Sequence, residues 1–323
     1  MTATPKQIAL GYGETTALLP FKGLVEALRR AYAGESNVPS RHHHTIKVPD
    51  EPEATLLLMP SWKFAGERSY LGLKIVNVYP GNSKRNIPGL TSTYLLFDGR
   101  TGQPIATLDG NAITSRRTAA ISVLGATFLA RPDSSRLLIL GTGRVGSLLP
   151  EAFCSHFPIS QIRIWDRNPD KAAEMAARLQ LDGVDAAAAG DLEAEVRQAD
   201  IITCATLSTA PLIKGEWLEP GVHIDLIGAF TPKMRETDDA AVAACRVYVD
   251  VDEAFHEGGD VVQAMATGAF SEEDCCGTLS ELCRGIAPGR SHPDEKTMFK
   301  AVGSAISDLA SAAMVYEAAH SAE

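Results

Sequence analysis

The chain has 323 residues, more than a single hydrophobic core usually serves, so two domains are expected. Hydrophobic residues make up 45% and charged ones 22%, an ordinary globular composition, and a net charge of −10 argues against a nucleic-acid or anionic-membrane partner. No basic segment followed by an apolar one opens the chain, and no stretch approaches the roughly 20 apolar residues of a membrane span, which points to a cytoplasmic protein.

Leu24, Val25, Leu28 and Tyr32 recur at helical spacing within residues 21–33, and Gly34 ends the helix they predict. Short runs bounded by Gly, Pro, Asn and Asp follow at 55–59, 71–79, 93–97 and 104–108, and these predict strands. The last two flank Asp98-Gly-Arg-Thr-Gly102, which reads as a hairpin loop. The first third is therefore a mixed α+β unit with antiparallel strands. A helix from about Thr114, through 117–130, bridges to a second part. There, strand-like runs at 137–140, 162–165, 201–204, 222–227 and 247–251 alternate with helical stretches such as 171–179. That alternation predicts an α/β, doubly wound parallel sheet. Residues 185–190 read as a loop or helix end, and 295–319 as a closing helix that packs back on the first unit. Six cysteines (Cys154, Cys204, Cys245, Cys275, Cys276, Cys283) lack CxxC spacing and predict buried, reduced thiols.

The strand 137–140 runs straight into Gly141-Thr142-Gly143-Arg144-Val145-Gly146. The first glycine permits a tight turn, the second lets the backbone approach a pyrophosphate, and the third lets a helix pack on the sheet. Amides at the helix N-terminus then face the phosphates. The next strand, Ile162-Arg-Ile-Trp165, ends at Asp166, where an acid that reads the ribose is expected.

Candidates for the substrate side are cations near element ends. Arg117 opens the bridging helix, and its guanidinium fork suits a carboxylate; the alternative is a solvated helix start. Lys74 lies in the apolar strand 71–79, either facing outward or held in a polar pocket with a lowered pKa, where it would serve as a proton donor. In Arg41-His42-His43-His44, three consecutive histidines share no face in helix or strand and do not make a zinc site, so no metal is expected. Arg41 is the more informative member, with a solvated loop as its alternative. Thr93 either offers a pocket hydroxyl or is simply a good strand residue.

Asp109-Gly-Asn-Ala-Ile-Thr-Ser-Arg-Arg-Thr-Ala-Ala-Ile-Ser122, the glycine run, Ile162-Arg-Ile-Trp165 and Gly215-Glu-Trp-Leu-Glu-Pro-Gly-Val-His-Ile-Asp-Leu-Ile-Gly228 resemble, in that order, the ornithine cyclodeaminase/mu-crystallin family. The resemblance covers nearly the whole chain. It implies a homodimer with a substrate-binding and dimerisation domain at 1–114 plus 304–323, beside an NAD(P)-binding Rossmann-type domain at 115–303. By position, Arg41, Lys74 and Arg117 match the family's substrate-gripping cations, Lys74 and Arg117 being the catalytic pair, while Thr93 and Met59 match its pocket threonine and methionine. The implied cofactor residues are Gly141, Thr142, Gly143, Arg144 and Val145, then Asp166, Arg167 and Asn168, then Cys204, Ala205 and Thr206, then Ile227, Gly228, Val302 and Gly303.

Cyclodeaminases resemble this chain around Gly228-Ala-Phe-Thr-Pro-Lys-Met-Arg-Glu236 but carry an acid where Phe230 stands, and phenylalanine cannot take a proton. The pattern is therefore nearer the ketimine reductases and Δ1-pyrroline-2-carboxylate reductases. The implied reaction is NAD(P)H-dependent reduction of a small cyclic imine carboxylate, Δ1-pyrroline-2-carboxylate or Δ1-piperideine-2-carboxylate, to proline or pipecolate. The alternatives are an ornithine cyclodeaminase, an alanine-dehydrogenase-like enzyme and a non-catalytic NADPH-dependent ligand binder. For the cofactor, Asp166 favours NADH and Arg167 favours NADPH. The resemblance tips the choice to NADPH with NADH left open.

Overall fold

The computed structural model describes residues 7–64 and 69–321. The chain divides into two compact units, one ending at Arg117 and taking up the chain again from Ser304, the other spanning Thr118–Gly303. The first unit runs to Arg117, three residues beyond the expected boundary at 114, and Arg117 is bound to Asp308 of the C-terminal helix.

In the first unit, β1 (Ile8–Leu10), β2 (His42–Ile46), β3 (Ala54–Lys63), β4 (Tyr70–Val78), β5 (Leu90–Asp98) and β6 (Pro104–Asp109) form one sheet in the order β1-β6-β5-β4-β3-β2. All neighbours are antiparallel except β1 and β6. The β5–β6 hairpin closes where expected, with the Asp98 carboxylate accepting from the Arg100 and Thr101 amides at 3.0 and 2.7 Å. Helices α1 (Tyr12–Ala17) and α2 (Phe21–Ala33) precede the long strands. The predicted stripe of α2 is the buried one: Leu24, Val25, Leu28 and Tyr32. The C-terminal helix, Ala305–Ser321, packs on α2 and across β3, β4 and β5. Helix α3 (Gly110–Leu129) starts earlier than Thr114, since Asp109 accepts from the Ala112 amide at 2.8 Å and caps it.

The second unit is built on β7 (Arg136–Leu140), β8 (Gln161–Trp165), β9 (Asp185–Ala188), β10 (Ile201–Cys204), β11 (His223–Leu226), β12 (Arg246–Val249) and β13 (Thr297–Lys300). Every pairing is parallel, in the order β12-β13-β11-β10-β7-β8-β9. The order runs one way from β7 through β8 and the other way through β10, so the reversal falls between β7 and β10. This is the expected Rossmann-type α/β fold. Strands β10, β11 and β13 are buried throughout, as strands covered on both faces must be, and their apolar side chains meet Leu138, Val247 and Val261 in the core. The helices are α4 (Leu149–Cys154), α5 (Pro169–Leu181), α6 (Leu192–Gln198), α7 (Asp239–Ala243), α8 (Ala254–Glu257), α9 (Gly259–Thr267) and α10 (Leu279–Arg284).

Three expectations are corrected. Residues 295–319 are not one helix: 297–300 form β13, inserted between β11 and β12, and the helix begins only at Ala305. Apolar residues read as a helical stripe are here a strand buried on both faces, a distinction that periodicity alone does not make. Residues 185–188 are an edge strand rather than a loop, because pairing with β8 overrides the weak strand preference of alanine. Only Cys204 is buried among the cysteines, and Cys154 is exposed.

Candidate active site

The strand β7 leads to the glycine turn, and the three glycines stand in three different environments. Gly141 has φ +99°, with a Cβ there 2.6 Å from the Ala205 carbonyl. Gly143 has nothing within 4 Å of a Cβ, so its backbone is bare toward open space. A Cβ on Gly146 would run into the Gly141 carbonyl. Helical structure begins at Gly146 with one tight turn and continues into the short α4, so the helix of this motif is only a few residues long. The turn borders a cleft of about 320 Å³ lined by Gly141, Thr142, Gly143, Asp166, Arg167 and Thr206 among others. That bare, positive-φ turn at a sheet reversal is the cradle a dinucleotide pyrophosphate needs, so the residues present fit such a cofactor.

Asp166 sits at the end of β8. Its Oδ2 accepts from the Thr142 amide at 3.0 Å and hydroxyl at 2.8 Å, and its Oδ1 accepts from the Asn168 amide at 2.9 Å. Burial alone would raise its pKa, but the hydrogen bonds from Asn168 and Thr142 outweigh it and hold the carboxyl below the usual range. Arg144, Arg167 and Asn168 are exposed, and Val145 half-buried. Cys204 is buried in β10, with Ala205 and Thr206 in the turn that follows. Ile227 and Gly228 follow β11 and are buried. The amides of Val302 and Gly303 donate to Asp250 at 3.1 and 2.7 Å, so those two N–H groups are already engaged.

Glu236 was not singled out from the sequence. Its Oε1 accepts from the Thr206 amide and hydroxyl at 2.7 and 2.8 Å, and its Oε2 from the Gly228 and Ala229 amides at 3.1 and 3.2 Å. One carboxylate thus ties the turn after β10 to the turn after β11.

The first unit holds its own polar cluster. The register places Met59 of β3, Lys74 of β4 and Tyr94 of β5 side by side on one face of the sheet, all buried. Asp308, fully buried on the C-terminal helix, accepts from Lys74 Nζ at 2.5 Å and from Arg117 Nε at 2.9 Å. Burial lowers the Lys74 pKa to about 8, with Asp308 opposing and Arg117 and Arg41 adding to the depression. Asp308 itself is held below the carboxylate range, because the two cations outweigh its burial. Lys74 is therefore the pocketed residue of its two alternatives, and Arg117 is not a solvated helix start. Arg41 lies half-buried just before β2, close enough for its charge to act on Lys74.

Thr93 is not in this cluster. It pairs with Ile75 on the opposite face of the sheet and is exposed. The histidines form the edge strand β2, all three exposed, with His42 and His44 on one face. Asp308 was also missed, although a single carboxylate within the apolar run 305–315 is a detectable signal of a buried partner.

The sequence profile of the ornithine cyclodeaminase/mu-crystallin family matches residues 12–323. The chain belongs to this family. Among its relatives is the Delta(1)-pyrroline-2-carboxylate reductase of Paracoccus denitrificans, 38% identical over 302 residues, which cover 93% of each chain. The Thermococcus litoralis Delta(1)-pyrroline-2-carboxylate reductase, solved with NADH and L-proline, superimposes with a TM-score of 0.88 at 30% identity, covering 97% of this chain and 98% of that one. An archaeal alanine dehydrogenase dimer with bound NAD gives 0.88 at 29% identity, covering 98% and 97%. Family membership thus extends over both units. Among the described residues, no helix is long and apolar enough to cross a membrane.

Proposed function

We propose that this member of the ornithine cyclodeaminase/mu-crystallin family reduces the C=N bond of cyclic ketimine acids, Δ1-pyrroline-2-carboxylate or Δ1-piperideine-2-carboxylate, to L-proline or L-pipecolate. The observation that carries the reading is the buried Lys74–Asp308–Arg117 triad in a chain that also has a glycine-lined dinucleotide cleft. The bound nicotinamide supplies the hydride. Asp308 occupies Arg117 Nε, which leaves the two Nη nitrogens to grip the substrate carboxylate, with Arg41 as the second cation. Lys74 Nζ, protonated at neutral pH and close to its pKa, donates to the imine nitrogen and makes the imine carbon electrophilic. Met59, beside Lys74 in the register, supplies apolar wall for the ring.

Phe230 supports a reductase over a cyclodeaminase, since the turn after β11 presents an exposed phenyl ring where a base would be needed. The buried Lys74–Asp308–Arg117 cluster, with Arg41 near enough for its charge to act on Lys74, likewise supports an enzyme over a binder of apolar ligands. For the cofactor, the reading is NADPH. Two cations, Arg167 and Lys171, line the cleft against one carboxylate, Asp166, whose oxygens already accept from Thr142 and Asn168. Titrating both cofactors checks this: Arg167→Ala is expected to weaken NADPH binding about tenfold and NADH little.

A homodimer is part of the proposal. The outer face of the first-unit sheet carries Leu58, Trp62, Leu71, Leu73, Ile75 and Leu95 in adjacent register, half-buried or exposed, and an apolar sheet face of this kind is suited to a second copy. The deciding assay follows the absorbance loss of NADPH or NADH with each imine acid, beside ammonia release from ornithine. Arg117→Ala is expected to abolish imine turnover while binding the dinucleotide normally. Ammonia release without net cofactor oxidation would transfer the protein to the cyclodeaminases.

A further inference from the structure

We propose that Glu236 is a charge-bearing, positioning residue of the dinucleotide site, whose buried carboxylate ties the turns after β10 and β11 and makes the site favour the cationic, oxidised nicotinamide over the neutral, reduced one. The inference rests on the dinucleotide reading given above. Three of the four groups that Glu236 accepts from are backbone amides of Thr206, Gly228 and Ala229, which can only donate. That donor set is built for an ionised carboxylate.

Behind it lies Asp260. Its Oδ1 accepts from the Glu236 and Thr237 amides at 2.7 and 2.8 Å, and its Oδ2 meets Lys300 Nζ at 3.2 Å. Glu236, Asp260 and Lys300 are all fully buried, so two acidic side chains share one lysine away from solvent. Burial pushes Glu236 up and Lys300 opposes it, with Asp260 adding to the rise. Asp225, the next buried carboxyl, is pushed up to about 7 by burial and adds at most a partial charge of the same sign. With its amide donors holding Glu236 as a carboxylate, the proposal assigns this cluster of two acids and one lysine an excess of negative charge.

Bracing two loops does not require this arrangement, because neutral acceptors satisfy amides at lower desolvation cost. Its position suggests what the charge does. Thr206, a direct partner of Glu236, lines the cleft, and in doubly wound sheets the strands beyond the reversal, here β10 and β11, serve the nicotinamide half. The Asp166 side serves the adenosine half. A fixed negative field there lowers the energy of a ring that becomes positive on giving up hydride, which is preorganised stabilisation of developing charge.

The test compares equilibrium dissociation constants of the oxidised and reduced dinucleotide, by calorimetry and by fluorescence of the reduced form. In Glu236→Gln the preference for the oxidised form is expected to fall about tenfold, the size expected of one unit charge acting across about 10 Å of protein. Glu236→Asp keeps the charge and is expected to weaken both forms while preserving their ratio. If the Gln protein does not fold, Lys300→Gln decides, with the ratio moving in the opposite sense. Equal weakening of both forms in Glu236→Gln, or an unmoved ratio in Lys300→Gln, overturns the charge role. Wild-type protein that binds neither form overturns the dinucleotide reading instead.

Discussion

Replacing Asp308 with Asn removes the carboxylate between Lys74 and Arg117 while keeping the shape of the side chain. The pair it breaks is buried, with Nζ 2.5 Å from Oδ2 and Asp308 fully shielded from solvent. Removing one partner of such a pair costs about 3–5 kcal/mol, because the other charge is left buried. If only a third of that falls on the Lys74 proton, its pKa drops by about one unit, since one unit is worth about 1.4 kcal/mol. Lys74 starts at about 8 in the wild type. In the proposed mechanism the ammonium is the active form, so activity is expected to fall as pH rises through the pKa, and in Asp308→Asn this alkaline limb is expected to move from about 8 to about 7 or lower. At pH 8 the Asn protein is then about fivefold less active than wild type, and the gap narrows toward pH 6. The assay is kcat/KM for Δ1-pyrroline-2-carboxylate between about pH 5.5 and 9.5, followed through NADPH absorbance. A uniform loss at every pH, with the alkaline limb unmoved, refutes the claim that Asp308 sets the protonation of Lys74.

Burial lowers Lys74 to about 8 in the fold, against 10.5 for an ordinary lysine, so between these values the unfolded chain binds more protons and the fold gains stability as pH rises. Wild type should therefore gain up to about 3 kcal/mol relative to Lys74→Met between pH 7 and 10.5, and thermal melts showing a constant difference would count against it. Gly143→Val, placed in open space, should leave Tm nearly unchanged and weaken dinucleotide binding more than about tenfold, whereas Gly146→Ala, placed against the Gly141 carbonyl, should lower Tm by about 4–8 °C. Differential scanning fluorimetry with and without cofactor separates the two effects. Leu73→Lys, on the outer sheet face, should convert a dimer to a monomer in light scattering, and an unchanged mass would remove that face as the interface.

Much of the fold was readable from local pattern. The stripe of α2, the hairpin at Asp98 and the parallel strands β7, β8 and β10 all follow from spacing and turn chemistry, which act over a few residues. The glycine turn was readable for the same reason, since Gly141 and Gly146 answer steric demands made by their neighbours and Gly143 leaves its backbone bare. Strand β13 was not, because Thr297-Met-Phe-Lys300 becomes a strand only by pairing with β11 and β12 at once. Thr93, a pocket threonine by resemblance and a plain strand residue by its own signal, stands by strand alternation on the face away from Tyr94 and Lys74.

The sequence by itself determined the two-part organisation, most of the strands and helices, the dinucleotide turn and the candidate cations Arg41, Lys74 and Arg117. What it left open was the state of those cations, since a lysine in an apolar strand faces either water or a pocket. Tertiary structure decided that through Asp308, 234 residues from Lys74 in the chain, and decided the wiring of the cofactor turns through Glu236. Side-chain charge and pKa depend on burial and on partners brought together only by folding, whereas helical stripes and turns are written in contiguous residues.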